Sequence, residues 1–190
     1  MAIVEHYYTK FEEENFYHIY NRSIDKKPMF CNDGNYEYFL KKYDAYLSAV
    51  IDTYAYCLLG NHFHFLIRIK DLTTFKKLSN QPDNKSTHDI ISHQFRKFFQ
   101  CYAMSFNKQQ NRTGTLFQTP FKRALVDDDS YFRKLIYYIH SNPETHQLVK
   151  DFREWKWSSY QTMLMEKHTQ LKNQKCLNGL AISNNLKSTI

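Results

Sequence analysis

Four segments of the chain alternate apolar and polar side chains with the two-residue period of a β-strand. They cover residues 16–20, 53–59, 62–69 and 121–126. Gly60-Asn61 separates the second segment from the third and predicts a tight hairpin turn. In the third segment the alternation places Phe63, Phe65 and Ile67 on one face and His62, His64 and Leu66 on the other.

Other segments repeat apolar side chains at the helical spacing of three to four residues. This pattern predicts helices over 35–50 and 88–109, and a short helix over 72–78. A further helix is expected after the acidic run Asp127–Ser130, because negative charge suits a helix N-terminus. Pro143 is expected to end that helix at about Ser141.

The order strand, helix, strand, strand, helix, strand, helix predicts an α/β (α+β) domain, an antiparallel sheet with helices packed on one face. Residues 1–165 are expected to form this domain. Residues 166–190 are polar and weakly patterned, which indicates a C-terminal tail.

Composition narrows the classes of protein that remain. With 42% apolar residues in a chain of 190, the sequence can build a core, so wholesale disorder is excluded. No apolar run approaches the ~20 residues that a membrane span needs, and the N-terminus lacks a signal-peptide pattern, so we expect a cytoplasmic protein without membrane contact. The four cysteines form no CxxC pair and are expected to be reduced thiols.

The charge and the aromatic content together suggest a polyanionic partner. The net charge is +7, and aromatic residues make up 17% of the chain. Rings that stack on bases and cations that neutralise phosphates are what a groove for single-stranded nucleic acid requires. The alternative is that most of these rings belong to the core.

His62 and His64 carry the first candidate chemistry. Two histidines separated by one residue on a strand point to the same face, and neutral imidazole binds divalent metal ions. The pair could therefore supply two ligands of a metal site. The alternative is the ordinary polar alternation of a solvent-facing strand.

The predicted helix after residue 130 carries a second set of candidate catalytic residues. Its apolar positions form one stripe, while Lys134, Tyr138 and Asn142 form another at four-residue spacing. A phenol is a poor nucleophile at neutral pH because its pKa is about 10. A nearby metal ion could activate it. Alternatively, Tyr138 simply packs at the boundary of helix and sheet.

Five short motifs, in order, resemble those of the single-tyrosine HUH transposases, and in particular of the REP-associated tyrosine transposases. The similarity spans roughly residues 15 to 162. The motifs are YHIYNR (17–22), YCLLGNHFH (56–64), GTLFQ (114–118) followed by Phe121-Lys122, YIHSNP (138–143) and WSSY (157–160). The resemblance implies a ferredoxin-like, RRM-like fold with the HUH strand near the centre of the sheet.

The resemblance also implies a chemistry. Tyr138 would attack a phosphate of single-stranded DNA near a hairpin and form a 5′-phosphotyrosine link, while His62 and His64 would hold Mg²⁺ or Mn²⁺. Asn142 occupies the position where relatives carry a Gln ligand, and it could bind the metal directly, through water, or not at all. His140 is expected to face away from Tyr138, and His18 to support a ligand or the fold.

Basic residues near these motifs are the candidate DNA contacts: Arg22, Lys26, Lys27, Arg112, Lys122 and Arg123. The alternative for them is an ordinary solvated surface. The protein could act as a monomer or as a homodimer. A second hypothesis is a domesticated relative that binds hairpin single-stranded nucleic acid without cutting it.

Overall fold

A computed structural model describes residues 8–80, 82 and 84–164. The strands and helices, in chain order, are β1 (Phe16–Arg22), α1 (Asp33–Leu47), β2 (Ile51–Leu59), β3 (His62–Ile69), α2 (Thr73–Leu78), α3 (Thr87–Gln109), β4 (Lys122–Val126), α4 (Asp129–Thr145) and α5 (Tyr160–Leu164). A single 3-10 turn, Phe152–Glu154, precedes α5. Except for the 3-10 turn and α5, which were not predicted, the elements lie within a few residues of those that the apolar pattern predicts.

The four strands form one antiparallel sheet in the order β2-β3-β1-β4. With the short helix α2 set aside, the order is β1, α1, β2, β3, α3 and β4. This order and the strand pairing are those of the split βαβ arrangement of ferredoxin-like domains. Strand β3, which carries the two histidines, lies inside the sheet between β2 and β1. Both the mixed α/β class and the interior position of the histidine strand are confirmed.

One face of the sheet carries α1 and α3. Alternate side chains of β3, namely Phe63, Phe65 and Ile67, are buried there against Phe39 of α1 and Phe98 of α3. The Phe39 ring lies edge-on to the Phe98 ring, with centroids 4.8 Å apart. Apolar burial on this face is the main stabilising contribution to the domain.

The prediction that helices lie on one face only is wrong, because α4 covers the other face. Phe132, Ile136 and Ile139 of α4 are buried against Leu66 of β3 and Ala55 of β2. These strand residues alternate with those that face α1 and α3. The second face is therefore apolar where α4 crosses it, and this helix buries that apolar part.

Helix α4 also extends beyond its expected end. Asp128 caps its start by accepting a hydrogen bond from the backbone N–H of Tyr131, as the acidic run predicts. Pro143, however, lies inside the helix, and His146 N–H still donates to the carbonyl of Asn142. A proline lacks the N–H donor and its ring crowds the carbonyl four residues back, but Pro143 falls in the last turn, where both effects are tolerated.

The segment after α4 ties that helix to the sheet. Nε2 of the buried His140 shares a hydrogen bond of 2.8 Å with the hydroxyl of Ser159, as expected for a side chain facing away from Tyr138. The same hydroxyl accepts the backbone N–H of Tyr56 in β2. Trp157 stacks on the Tyr36 ring at 4.4 Å, so the WSSY motif serves packing.

The expected tail, residues 166–190, lies outside the described residues. Among the residues that the structure describes, no helix is long and apolar enough to cross a membrane.

Candidate active site at the end of the sheet

The site lies on the face covered by α4, at the end of the sheet nearest the β2–β3 turn. Antiparallel pairing sets Tyr20 opposite His64 and Arg22 opposite His62. It also sets Tyr20 opposite Lys122 of β4. Because side chains alternate along a strand, all five of these residues project from the same face. The register of the strands thus gathers two histidines, two cations and one phenol.

The orientation of His62 is fixed by the turn that precedes it. The amide nitrogen of Asn61 donates to the carbonyl of Lys26 at 2.7 Å, so the amide oxygen of Asn61 faces His62. That oxygen can only accept, so Nδ1 of His62, 2.7 Å away, carries the proton and donates. The lone pair of His62 therefore lies on Nε2, the nitrogen available to a metal ion.

His64 is oriented by a third histidine. Nε2 of His18 on β1 and Nδ1 of His64 share a hydrogen bond of 3.0 Å. Both side chains are buried, and the His18 ring stacks on Tyr20 with centroids 4.7 Å apart. Metal-bound histidines ordinarily have their second nitrogen held in this way. The expectation that His18 supports a neighbouring group fits this geometry.

The environment keeps these histidines neutral. Burial lowers the pKa of His18 to about 3. Burial, followed by the positive charge of Arg22 and by His146, lowers the pKa of His62 to about 4. Burial, together with the neighbouring His18 and His62, holds the pKa of His64 well below its ordinary range. Neutral imidazole is the form that binds metal ions, so both histidines are ready ligands at neutral pH.

Tyr138 of α4 faces the two histidines. Its ring lies edge-on to the rings of His64 and His18, with centroids 5.4 and 6.1 Å away. It is 47% exposed and borders an open cavity of about 300 Å³, which we call the catalytic cavity. The cavity is lined by Tyr20, Asn21, Arg22, His62, His64, Gln118, Lys122, Tyr138 and His146. A substrate in this cavity would touch the phenol and both histidines at once.

Asn142 does not line the catalytic cavity. Its side chain is buried, and its amide nitrogen donates to the backbone carbonyl of Tyr138 at 2.6 Å, one turn back along α4. Of the three alternatives for Asn142, this geometry favours the one in which its side chain does not bind the metal ion. A side chain one methylene shorter than Gln folds back onto its own helix, as Asn commonly does.

His146 takes a place in the cavity that sequence reasoning missed. It lies at the C-terminal end of α4, four residues after Asn142, and continues the stripe that contains Tyr138. Its ring contacts the His62 ring edge-on, with centroids 5.0 Å apart. The four-residue spacing of Tyr138 and Asn142 leads on to position 146. His146 was missed because the helix was expected to end before Pro143.

The donor set fits a divalent cation that the protein only partly surrounds. Nε2 of His62 and Nε2 of His64 are the nitrogens that these two side chains present to it. Within the described part of the chain, no group of three or more His, Cys, Asp and Glu side chains could hold a metal ion. The remaining positions would fall to water and to phosphate oxygens of a substrate, which is how an ion with a catalytic role is bound.

The predicted DNA-contacting cations divide into two groups. Arg22 and Lys122 line the catalytic cavity, where a phosphate would meet them. Lys26 and Lys27 are exposed on the loop that follows β1. Arg112 lies beyond that loop and donates to the side chain of Asn107 at 3.0 Å, while Arg112 and Lys27 line a neighbouring cavity. The structure thus brings two of these cations to the site and leaves three on its flank.

Arg123 is the exception. Its guanidinium is buried, donates to the carbonyls of Thr9 and Tyr8 at 2.7 and 3.1 Å, and lies over the rings of Phe11 and Phe121. The prediction that Arg123 contacts DNA does not agree with this geometry. Its place on β4 turns it away from the face that carries Lys122, because neighbouring residues of a strand alternate.

The ferredoxin-like sheet, with a further helix that presents a tyrosine to two strand histidines, is the arrangement that the motif resemblance to tyrosine transposases implies. No protein-family model matches the chain. A curated relative from Haemophilus influenzae, named "Putative REP-associated tyrosine transposase", is 26% identical over 115 residues. That alignment covers 57% of this chain and 58% of the relative, so the chain spans less than two thirds of it.

The fold comparison points the same way. A solved structure of a REP-associated tyrosine transposase bound to a REP hairpin superimposes with a TM-score of 0.60. The match covers 83% of this chain and 84% of the other, at 13% identity, and establishes a shared fold. The resemblance to REP-associated tyrosine transposases that the motifs indicate is therefore confirmed.

Proposed function

We propose that this protein is a metal-dependent DNA transposase or nickase that cuts and rejoins single-stranded DNA near a hairpin. The observation that carries the proposal is the approach of Tyr138 to His64, with ring centroids 5.4 Å apart in one open cavity. A protein that only binds DNA has no need of a half-exposed phenol facing two oriented, neutral histidines. The fold shared with a transposase bound to a hairpin supports the choice of substrate.

The reaction would be a transesterification in which bonds are exchanged one for one. The phenolic oxygen of Tyr138 gives up its proton and bonds to phosphorus, the bond between phosphorus and the 3′ oxygen breaks, and that oxygen takes up a proton to become the 3′ hydroxyl. The product is a 5′-phosphotyrosine, whose ester bond is kept for rejoining. Mg²⁺ or Mn²⁺ bound by His62 and His64 would stabilise charge on the phosphate oxygens.

The residues of the cavity would position the DNA for this step. Arg22 and Lys122 neutralise the phosphate from either side of Tyr20, and their charges are the electrostatic attraction for the strand. Asn61 and His18 hold the imidazole rings in place, so no reorganisation is needed when the phosphate arrives. Tyr138 faces the histidines of its own chain, which supports a reaction carried out by a monomer.

A second candidate function is binding of hairpin DNA without cleavage. One observation favours it: Asn142 is bonded to its own helix, and within the described residues no third His, Cys, Asp or Glu completes a metal site. A weakly bound ion would leave the phenol inactive. A single covalent-adduct assay separates cleavage from binding without cleavage.

The test is a covalent-adduct assay with the full chain. Labelled single-stranded hairpin DNA from the flanks of the gene is incubated with Mn²⁺ or with a chelator, and the products are run on a denaturing gel. We expect a metal-dependent adduct in the wild type that is lost in Tyr138→Phe. Tyr137→Phe is the matched control, because Tyr137 packs on Phe152 on the other side of the same helix.

Loss of the adduct in Tyr138→Phe but not in Tyr137→Phe would establish the nucleophile. A hairpin-specific shift on a native gel without any adduct would instead assign the binding function. An adduct that survives Tyr138→Phe would refute the proposed nucleophile.

A further inference from the structure

A second cavity opens beside the catalytic cavity, and we call it the side cavity. Its volume is about 430 Å³, and it lies between α3 and the segment 114–121 that leads into β4. Its walls are mainly apolar, with the rings of Phe99, Phe117 and Phe121 and the methyl group of Ala103. The rings of Phe99 and Phe121 meet edge-on, with centroids 5.3 Å apart. Nothing in the transesterification itself uses this cavity.

Gln118 and Asn21 line both cavities and so form the wall that the two cavities share. The backbone of Gln118 is held on both sides: its N–H donates to the carbonyl of Arg22 at 2.9 Å, and its carbonyl accepts from the side chain of Asn21 at 3.0 Å. Gln118 is therefore fixed at the boundary between them. A strand with one phosphate in the catalytic cavity would have its neighbouring sugar and base at this boundary.

The chemistry of the side cavity suits a nucleobase. Aromatic walls stack on the flat faces of bases, and a Gln amide can donate to and accept from a base edge. Two glutamines, Gln118 and Gln100, lie among the lining residues, and Arg96 supplies a positive charge at the exposed rim. A lipid chain offers no partner for these amides, and an apolar peptide carries no negative charge for Arg96, so a base next to a phosphate suits the cavity better than either.

We propose that the side cavity receives one unpaired base of the single-stranded DNA, next to the phosphate that lies before Tyr138, with Gln118 at the edge of that base. The cavity thus contributes sequence or structural preference at one nucleotide. The proposal rests on the proposed function only in that DNA enters the catalytic cavity, and it does not require cleavage.

The test measures binding of DNA from which single bases have been removed. Full-length protein carrying Tyr138→Phe, which prevents cutting, is titrated with hairpin oligonucleotides from the flanks of the gene, each with one abasic site. We expect one position to stand out, with affinity reduced roughly five- to 150-fold, the range that loss of one stacked base produces. Equal affinity at every unpaired position would overturn the proposal.

A variant that fills the side cavity tests whether the loss of affinity at the abasic site arises from that cavity. Ala103→Phe, added to the same protein, should weaken binding of intact DNA by a similar factor and remove the extra effect of the abasic site. Met104→Phe is the matched control, since Met104 is the next residue of α3 and is 65% exposed. If Ala103→Phe melts like its parent and remains fully sensitive to the abasic site, the base lies elsewhere.

The outcome does not depend on the adduct assay. Abasic sensitivity that Ala103→Phe abolishes, without any adduct, would support the side cavity and refute the nuclease. A covalent adduct together with equal affinity at every abasic position would support the nuclease and refute the side-cavity proposal. Absence of DNA binding altogether would overturn the side-cavity proposal.

Discussion

Replacing His18 should weaken metal binding although His18 is not itself a proposed ligand. Nε2 of His18 holds Nδ1 of His64 through a hydrogen bond of 3.0 Å, and both side chains are less than 8% exposed. A metal ion on Nε2 of His64 requires the proton on Nδ1, and His18 is the acceptor for that proton. His18→Phe removes the acceptor and keeps a ring that can stack on Tyr20, so packing on β1 is preserved.

The magnitude follows from what is lost. A buried polar group left without its partner costs about 1–3 kcal/mol. Groups that hold a metal-bound histidine typically contribute 10- to 100-fold in metal affinity, which is about 1.4–2.7 kcal/mol. We therefore expect the dissociation constant for Mn²⁺ to rise roughly 10- to 100-fold in His18→Phe. His18→Gln, which keeps a side-chain acceptor, should lie between His18→Phe and the wild type.

Titration calorimetry with Mn²⁺ on the full chain measures this directly. Tyr138→Phe is the control, because the phenol is not assigned to the metal and its removal should leave Mn²⁺ affinity unchanged. Circular dichroism checks that each variant is folded. If His18→Phe folds and binds Mn²⁺ as tightly as the wild type, then His18 does not orient His64 for a metal ion, and the reasoning from this hydrogen bond is refuted.

Four further predictions concern single residues. Asn142→Ala should leave Mn²⁺ affinity nearly unchanged by calorimetry, because its amide is bonded to the carbonyl of Tyr138; a loss of more than about tenfold would restore Asn142 as a ligand. Arg123→Met should lower the free energy of unfolding in urea by about 2 kcal/mol or more, since it removes two buried charged hydrogen bonds, and should leave the salt dependence of DNA binding unchanged. Lys122→Met should instead reduce the slope of log K against log salt by about 1, and the opposite pattern for the two variants would contradict their assignment. Finally, burial lowers the pKa of His140 to about 4, so as pH falls the unfolded chain, with a pKa of about 6.5, takes up this proton first. The free energy of unfolding should therefore fall by about 3 kcal/mol from this residue between pH 6.5 and 4, and urea titrations of His140→Gln should lack that part of the pH dependence.

Much of the fold was readable from the sequence because its elements obey local rules. The two-residue alternation in 62–69 placed His62 and His64 on the face opposite Phe63, and the sheet has them there. Helix α3 begins one residue before the predicted position and ends at the predicted one. Such features depend on neighbours along the chain, which a sequence displays directly.

The errors arose where packing between distant segments decides. The local pattern of α4 does not indicate on which face of the sheet the helix packs. Pro143 wrongly predicts the end of α4, because the last turn of a helix tolerates a proline. Ending the helix there hid His146. Arg123 looked like a DNA contact beside Lys122, but its partners, Thr9 and Tyr8, are more than a hundred residues away.

The site itself was partly predictable. His62, His64 and Tyr138 were marked by spacing and by motif, and the structure brings their side chains around one cavity. The partners that orient the histidines were harder to assign, because the bond between His18 and His64 joins residues 46 positions apart. The side cavity left no signal of its own, since it forms only where 114–121 meets α3.

The covering of the second sheet face by α4 limits how DNA can approach. Many single-strand readers of this topology lay several successive bases along the open face of the sheet. Here Leu66 and Ala55, near the middle of that face, lie beneath Ile136 and Ile139. In the proposed function the strand meets the sheet at the end nearest the β2–β3 turn, where Arg22, His62, His64 and Lys122 line the catalytic cavity. The footprint on the unpaired strand should therefore be a few nucleotides long, and recognition of a longer target has to come from the paired stem or from loops outside the sheet.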